Sequence, residues 1–165
     1  MIRDWHENIK TFDIPIVSVY RIDSNLSNDI EISSWSSQGL SSDEFSVQNA
    51  ILTLRSSRFP LCIDPQHQAL SWIKKREAHN NLRLLNFSDP DFIKILELSM
   101  KYGSPVLFQD VDEYIDPIIG NLLEKKFVRK QGQMFAILGG KQILLSMTIK
   151  IILLSFPFAL SLTIR

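Results

Sequence analysis

Residues 60–76 read Pro60-Leu61-Cys62-Ile63-Asp64-Pro65-Gln66-His67-Gln68-Ala69-Leu70-Ser71-Trp72-Ile73-Lys74-Lys75-Arg76. Pro60 to Ile63 is a short apolar run with proline only at its start, which reads as a buried strand. Asp64-Pro65 is a sharp strand-to-helix turn. Ala69, Trp72, Ile73 and Arg76 then share one side of a helix, while Lys74, Lys75 and Glu77 turn outward. His79, Asn80 and Asn81 stop that helix. If this strand–helix alternation repeats, it builds a parallel sheet.

Downstream it does repeat. Leu82 to Phe87 is a second strand, and Ser88-Asp89-Pro90-Asp91 opens a helix with a cap, a proline in the first turn and acids at the positive dipole end. Phe92, Ile95, Leu96 and Ser99 form its inner stripe, and Gly103 ends it. Pro105 to Phe108 is a third strand. Asp116-Pro117 opens a helix carrying Ile118, Ile119, Leu122 and Leu123. Gln133 to Leu138 is a fourth strand, ended by Gly139-Gly140. Upstream, Ser42 or Asp43 caps a helix bearing Phe45, Ala50, Ile51 and Leu54. The strands are continuous apolar runs, so both faces of the sheet are covered. The expected fold over residues 44–142 is an α/β three-layer domain with a mostly parallel sheet. Residues 1–43 read as an irregular, Ser-rich lead-in with a short extended segment at Ile14 to Tyr20. Residues 143–165 form an apolar tail, interrupted by Lys150 and Pro157.

The bulk numbers agree with one domain. The chain has 165 residues, 45% of them hydrophobic, enough for one core. With 18 basic and 18 acidic residues the net charge is near zero, so a sequence-independent grip on nucleic acid is not expected. Cys62 is the single cysteine, which excludes an internal disulfide framework and fits a reducing compartment. Met1 to Lys10 has no apolar core of a secretory signal.

In a parallel sheet, ligands bind outside the carboxyl ends of the strands. A phosphate loop there needs glycine for close backbone approach, a lysine for the β/γ-phosphates and Ser or Thr for magnesium. The first strand instead leads into Asp64, Pro65, Gln66, His67, Gln68 and Ala69. Asp64 carries charge toward an anion, and Pro65 removes a donor. After the third strand, Asp110 has the residue type to approach a metal, but Val111 stands where a general base is wanted. Asp110, Asp112 and Glu113 read as a solvated acidic loop. Cys62 reads as a core residue, His6 and His79 as surface, and His67 has no partner at metal-ligand spacing. No catalytic residue and no metal site are expected.

The residues also carry a family resemblance. Trp35-Ser-Ser-Gln-Gly-Leu40, Asp43-Glu-Phe-Ser46 and Asn49-Ala50 precede Arg58-Phe-Pro-Leu-Cys-Ile-Asp-Pro-Gln66, Gln68-Ala69 and Trp72-Ile-Lys74. This series resembles the dynein heavy chain family, of axonemal type, at the fifth AAA+ module of its motor ring. Glu77, Asn80, Leu96-Glu97, Gly103 to Leu107, Asp116-Pro117, Gln131-Gly132 and Leu138-Gly139 extend it, so that residues 35–142 match well and 5–34 loosely. Ser41 departs from the family's proline.

The resemblance implies an incomplete, P-loop-NTPase-like AAA+ large subdomain. Asp64 to Ala69 would be its vestigial phosphate loop and Asp110 its vestigial Walker B position. It implies no enzyme and no cofactor for this stretch, with ATP and magnesium in other modules of the parent. The partners implied are the other AAA+ modules. Through the parent they include intermediate, light intermediate and light chains and microtubules, with cytoplasmic, cytoskeletal and ciliary axoneme localisation. An NTP-binding or NTP-hydrolysing AAA+ domain is the alternative.

After Gln142 the resemblance stops. Ile143 to Arg165 has about membrane-spanning length, which suggests a membrane-tethered interaction protein, but a central Lys150 costs about 2.5–3.5 kcal/mol on insertion scales. A frame-shifted or alternatively spliced end explains the break better, since one shifted frame places an aspartate codon across Met147-Thr148, as the family's acidic stretch has. On that reading the tail has no selected function, and unfinished sheet edges favour aggregation.

Overall fold

The computed structural model describes residues 2–12, 22–112, 115–146 and 149–155. The lead-in is helical where described: α1 (Ile2–Thr11), α2 (Ile22–Leu26) and α3 (Asp29–Ser37). The Asn28 side chain accepts from the Glu31 N–H and starts α3, a cap that the Ser-rich composition obscures. The extended segment expected at 14–20 lies outside the described residues.

Helix α4 (Glu44–Arg55) is capped by Asp43, whose carboxylate accepts from the Ser46 N–H at 2.9 Å. Then come β1 (Leu61–Ile63), α5 (Gln68–Arg76), β2 (Arg83–Asn86), α6 (Phe92–Tyr102) and β3 (Val106–Gln109). Each lies where the sequence places it, but β1, expected to be buried, is an edge strand with Leu61 and Ile63 exposed. Gly103, at φ +74, ends α6 and returns its N–H to the Ser99 carbonyl at 2.8 Å.

Beyond β3 the structure departs from expectation. After the short α7 (Gly120–Leu123), three strands follow: β4 (Phe127–Lys130), β5 (Gln133–Leu138) and β6 (Lys141–Leu144). They form a separate antiparallel sheet in the order β4-β5-β6. The expected fourth parallel strand, 133–138, is the middle of this sheet. Its two turns are the cause. Gln131-Gly132 and Gly139-Gly140 all have positive φ, the geometry of tight two-residue hairpins.

The fourth strand of the parallel sheet is β7 (Ile151–Ser155), taken from the tail. The order is β1-β7-β3-β2, all parallel, with Leu153 opposite both Leu61 and Phe108. Residues 151–155 of the apolar tail are therefore part of the parallel sheet. Ile151 to Leu154 are buried because β7 has a strand on each side and a layer on each face. Among the described residues no helix is long and apolar enough to cross a membrane.

Side-chain alternation divides the core in two. Leu107, Ile152 and Leu154 face α3, α4 and α5, meeting Trp35, Val47, Ile51, Trp72 and Ile73. Val106, Phe108, Ile151 and Leu153 face the other way, onto Phe92, Leu96, Met100, Leu122 and Leu138. The three-layer α/β arrangement holds, with the small antiparallel sheet joining the second layer. Phe45, read as part of the inner face of α4, is 78% exposed, whereas Val47 is buried in its place.

Candidate functional site

The turn after β1 stands at the carboxyl edge of the parallel sheet. Asp64 is only 5% exposed, and its N–H donates to the Ser155 carbonyl at the end of β7 at 3.0 Å. Its carboxylate folds forward over the start of α5. One oxygen accepts from the Gln68 N–H at 2.9 Å and the other from the Leu70 N–H at 2.8 Å. These are two of the N–H groups that a helix N-terminus leaves unsatisfied. The residue in the cap position, His67, makes no side-chain cap bond. It sits in the left-handed region at φ +57, which histidine tolerates better than most residues. Its carbonyl accepts from the Ser71 N–H and hydroxyl. Asp64 thus does the capping that His67 cannot.

The electrostatic consequence is direct. The first turn of a helix attracts anions through free N–H groups and positive partial charge. Here an internal carboxylate already holds two of those donors and adds a negative charge beside them. Pro65, Gln66 and His67 are exposed, and none is a lysine or a glycine. Two of the donors that a bound phosphate would use at a helix start are thus already engaged.

Asp110 lies at the same edge, just past β3, with φ +53. It is exposed, and its Oδ2 accepts from the Asn86 side-chain amide at 3.2 Å. Asp112 is exposed, and Glu113 lies outside the described residues. Among the described residues no group of three His, Cys, Asp or Glu side chains converges as a metal set. β7 runs between β1 and β3, so the turn of Asp64 and the loop of Asp110 lie on the two flanks of one strand.

Cys62 faces the helix layer. Its Sγ lies 3.8 Å from the Thr53 hydroxyl, and burial pushes the thiol pKa up, with Asp64 adding to the rise and Thr53 opposing it. A cavity of about 500 Å³ opens beside it, between α4, β1 and the start of α5, with Asn49, Thr53, Gln68 and Trp72 in its wall. Trp72 meets Trp35 edge-to-face at 6.1 Å between ring centroids. That contact explains Trp35 as a packing residue for the helix that carries the turn.

The family model for the ATP-binding dynein motor region matches residues 33–158. The chain belongs to this dynein family. Similar proteins include the human dynein axonemal heavy chain 10, 59% identical over 141 residues, which are 86% of this chain and 3% of that protein. The dynein-1-alpha heavy chain of the flagellar inner arm I1 complex of Chlamydomonas reinhardtii is 43% identical over 140 residues, 84% of this chain and 3% of its own length. The mouse dynein axonemal heavy chain 2 is 37% identical over 139 residues, again 84% and 3%. The chain therefore spans about 3% of the length of these curated relatives.

The dynein match reaches residue 158 and so takes in β7, beyond the point at which the motif reading ended. An isolated apolar strand carries few distinctive residues, so motif matching is weakest there. The fold is consistent with part of an AAA+ domain. The sequence reading also missed the hydrogen bonds of Asp64. The visible signal was an acid directly after a short apolar strand and four residues before a helix start that has no Ser, Thr, Asp or Asn cap.

Proposed function

We propose that this chain is a catalytically inert structural module, the fifth AAA+ module, of an axonemal dynein heavy chain. The Asp64 carboxylate carries this reading. It occupies the N–H groups of Gln68 and Leu70 at the place where a working phosphate loop holds its ligand. Asp64 to Ala69 is then a vestigial phosphate loop and Asp110 a vestigial Walker B acid. The module needs no cofactor of its own, and ATP and magnesium act in other modules of the same heavy chain.

In that setting its work is mechanical. A sheet whose inner strands β3 and β7 are packed on both faces passes ring movements between neighbouring modules. The parent is a microtubule motor of the ciliary axoneme, assembled with intermediate, light intermediate and light chains. Names of relatives such as the axonemal heavy chains support that location.

The test is thermal unfolding of the full chain titrated with ATP and with ADP, each with and without magnesium. The full chain is required because truncation after Gln142 removes β7. A ligand at about 100 times its Kd stabilises by about 2.7 kcal/mol. The expected result is a midpoint that stays fixed through millimolar nucleotide. A midpoint that climbs with concentration would show that the turn still holds phosphate, and the inert reading would fall.

A further inference from the structure

At the opposite end of the strands from Asp64 lies a second concavity, of about 260 Å³. The ends of α4 and α5 and the starts of β1 and β7 frame it. Five cationic side chains line it: Arg55, Arg58, Arg76, Lys125 and Lys150. Glu31 and Glu77 are its only acids. A chain with no net charge thus concentrates positive charge in one cleft.

The two acids are already engaged. Glu31 takes a two-pronged bond from Arg55, at 3.0 and 3.3 Å. Glu77, expected from its helical position to face outward, is instead buried, pairs with Lys150 at 3.4 Å and accepts from the Asn80 amide at 2.6 Å. The remaining cations lack a carboxylate at hydrogen-bond distance. Arg58 has no ion pair among the described residues. Lys125 lies over the Phe59 ring at 4.6 Å and reaches only the Ser57 carbonyl. Arg76 Nε is buried with no hydrogen-bond partner among the described residues, the nearest Glu77 oxygen being 3.9 Å away. The Arg76 guanidinium lies over the Trp72 ring at 5.9 Å and its side chain is a quarter exposed, so its outer nitrogens face the cleft without a close carboxylate. The helix ends at this cleft add negative partial charge that two arginines offset, yet the surplus remains.

We propose that this cleft binds a carboxylate-bearing protein segment, with an Asp or Glu head among Arg58, Arg76 and Lys125. The segment's apolar stem lies against Leu54, Phe59 and Ile152. Charge complementarity selects the acid, and the mixed wall selects an amphipathic segment over a small free anion. Guanidinium and carboxylate match in a planar, two-pronged geometry, which an arginine cleft supplies.

A fluorescein-labelled hexapeptide alternating glutamate and leucine, titrated with the full chain and read by anisotropy, tests it. The glutamate peptide binds at low salt and weakens as salt rises, while its glutamine counterpart does not bind. Arg58→Gln and Lys125→Gln are tested separately, both at exposed positions, and each weakens binding about five-fold. Lys94→Gln, on α6 in the other layer, leaves it unchanged. Equal binding of the glutamine peptide, or parental affinity in both variants, overturns the proposal. So does displacement of the peptide by inorganic phosphate at matching concentrations, because it makes the cleft a free-anion site.

Discussion

Replacing Asp64 with alanine removes both carboxylate oxygens from the start of α5. The two N–H groups they serve, of Gln68 and Leu70, belong to half-buried residues beside the buried Asp64. Loss of a helix cap costs about 0.5–2 kcal/mol, and a hydrogen bond to a charged group is worth about 1.5–3 kcal/mol. Water reaches the exposed turn in the variant and recovers part of that loss. We therefore expect a net cost of about 2–3 kcal/mol, or a fall of about 5–10 °C in Tm for a chain of this size. Asp64→Asn keeps one acceptor oxygen in the same shape and should lose about half as much. Urea denaturation of the full chain, followed by circular dichroism, measures both, with an unchanged m-value as the sign that the same two states are compared. A loss below about 0.5 kcal/mol for Asp64→Ala, or a larger loss for Asn than for Ala, would refute the claim that the carboxylate holds this turn.

Four further outcomes follow from the contacts described above. Leu153→Ala, in the middle strand of the parallel sheet, should cost about 2–5 kcal/mol in the same denaturation assay, and truncation after Gln142 should abolish cooperative unfolding. The Ser46 side chain, the Ser41 side chain and the Ser46 N–H hold the Asp43 pKa down at about 2, against an ordinary 3.8. A depressed folded value means that the cap's contribution is complete above about pH 4 and fades as pH falls toward 2, so an NMR titration of the Asp43 carboxyl should have its midpoint near 2 and not near 4. Burial raises the Cys62 thiol, so its reaction with a thiol reagent at pH 8 should be about ten-fold or more slower in the folded chain than in urea. Equal rates in the two would refute that.

Where apolar runs and punctuation coincide, the fold was legible. Pro60 and Asp64-Pro65 bracket β1, and Gly103 closes α6. Strand partnership was not legible, because a run such as Gln133 to Leu138 looks the same in either sheet. Two positive-φ turn pairs, Gln131-Gly132 and Gly139-Gly140, were the available sign of hairpins. The tail was harder. Ile151 to Leu154 is apolar on both faces, and periodicity cannot separate a fully buried strand from a membrane segment or from chance composition. In the candidate site, the missing glycine and lysine could be read from the residues. The occupation of the helix start by Asp64 could not, since it depends on a backbone bend at His67 that places a carboxylate over residues four and six positions ahead.

The position of β7 also orders events in time. β2 and β3 pair with each other, and the two hairpins close locally, so these parts can form early. β1 has no described neighbour except β7, and Leu61 meets Leu153 across more than half the chain. Such a distant pairing is slow, because the whole intervening loop must be closed first. Until β7 arrives, β1 is an unpaired edge of Leu61, Cys62 and Ile63, open to capture by other unfolded chains. The N–H of Asp64 is tied to Ser155, so the turn at the helix start becomes rigid only after nearly every other part of the sheet has been made.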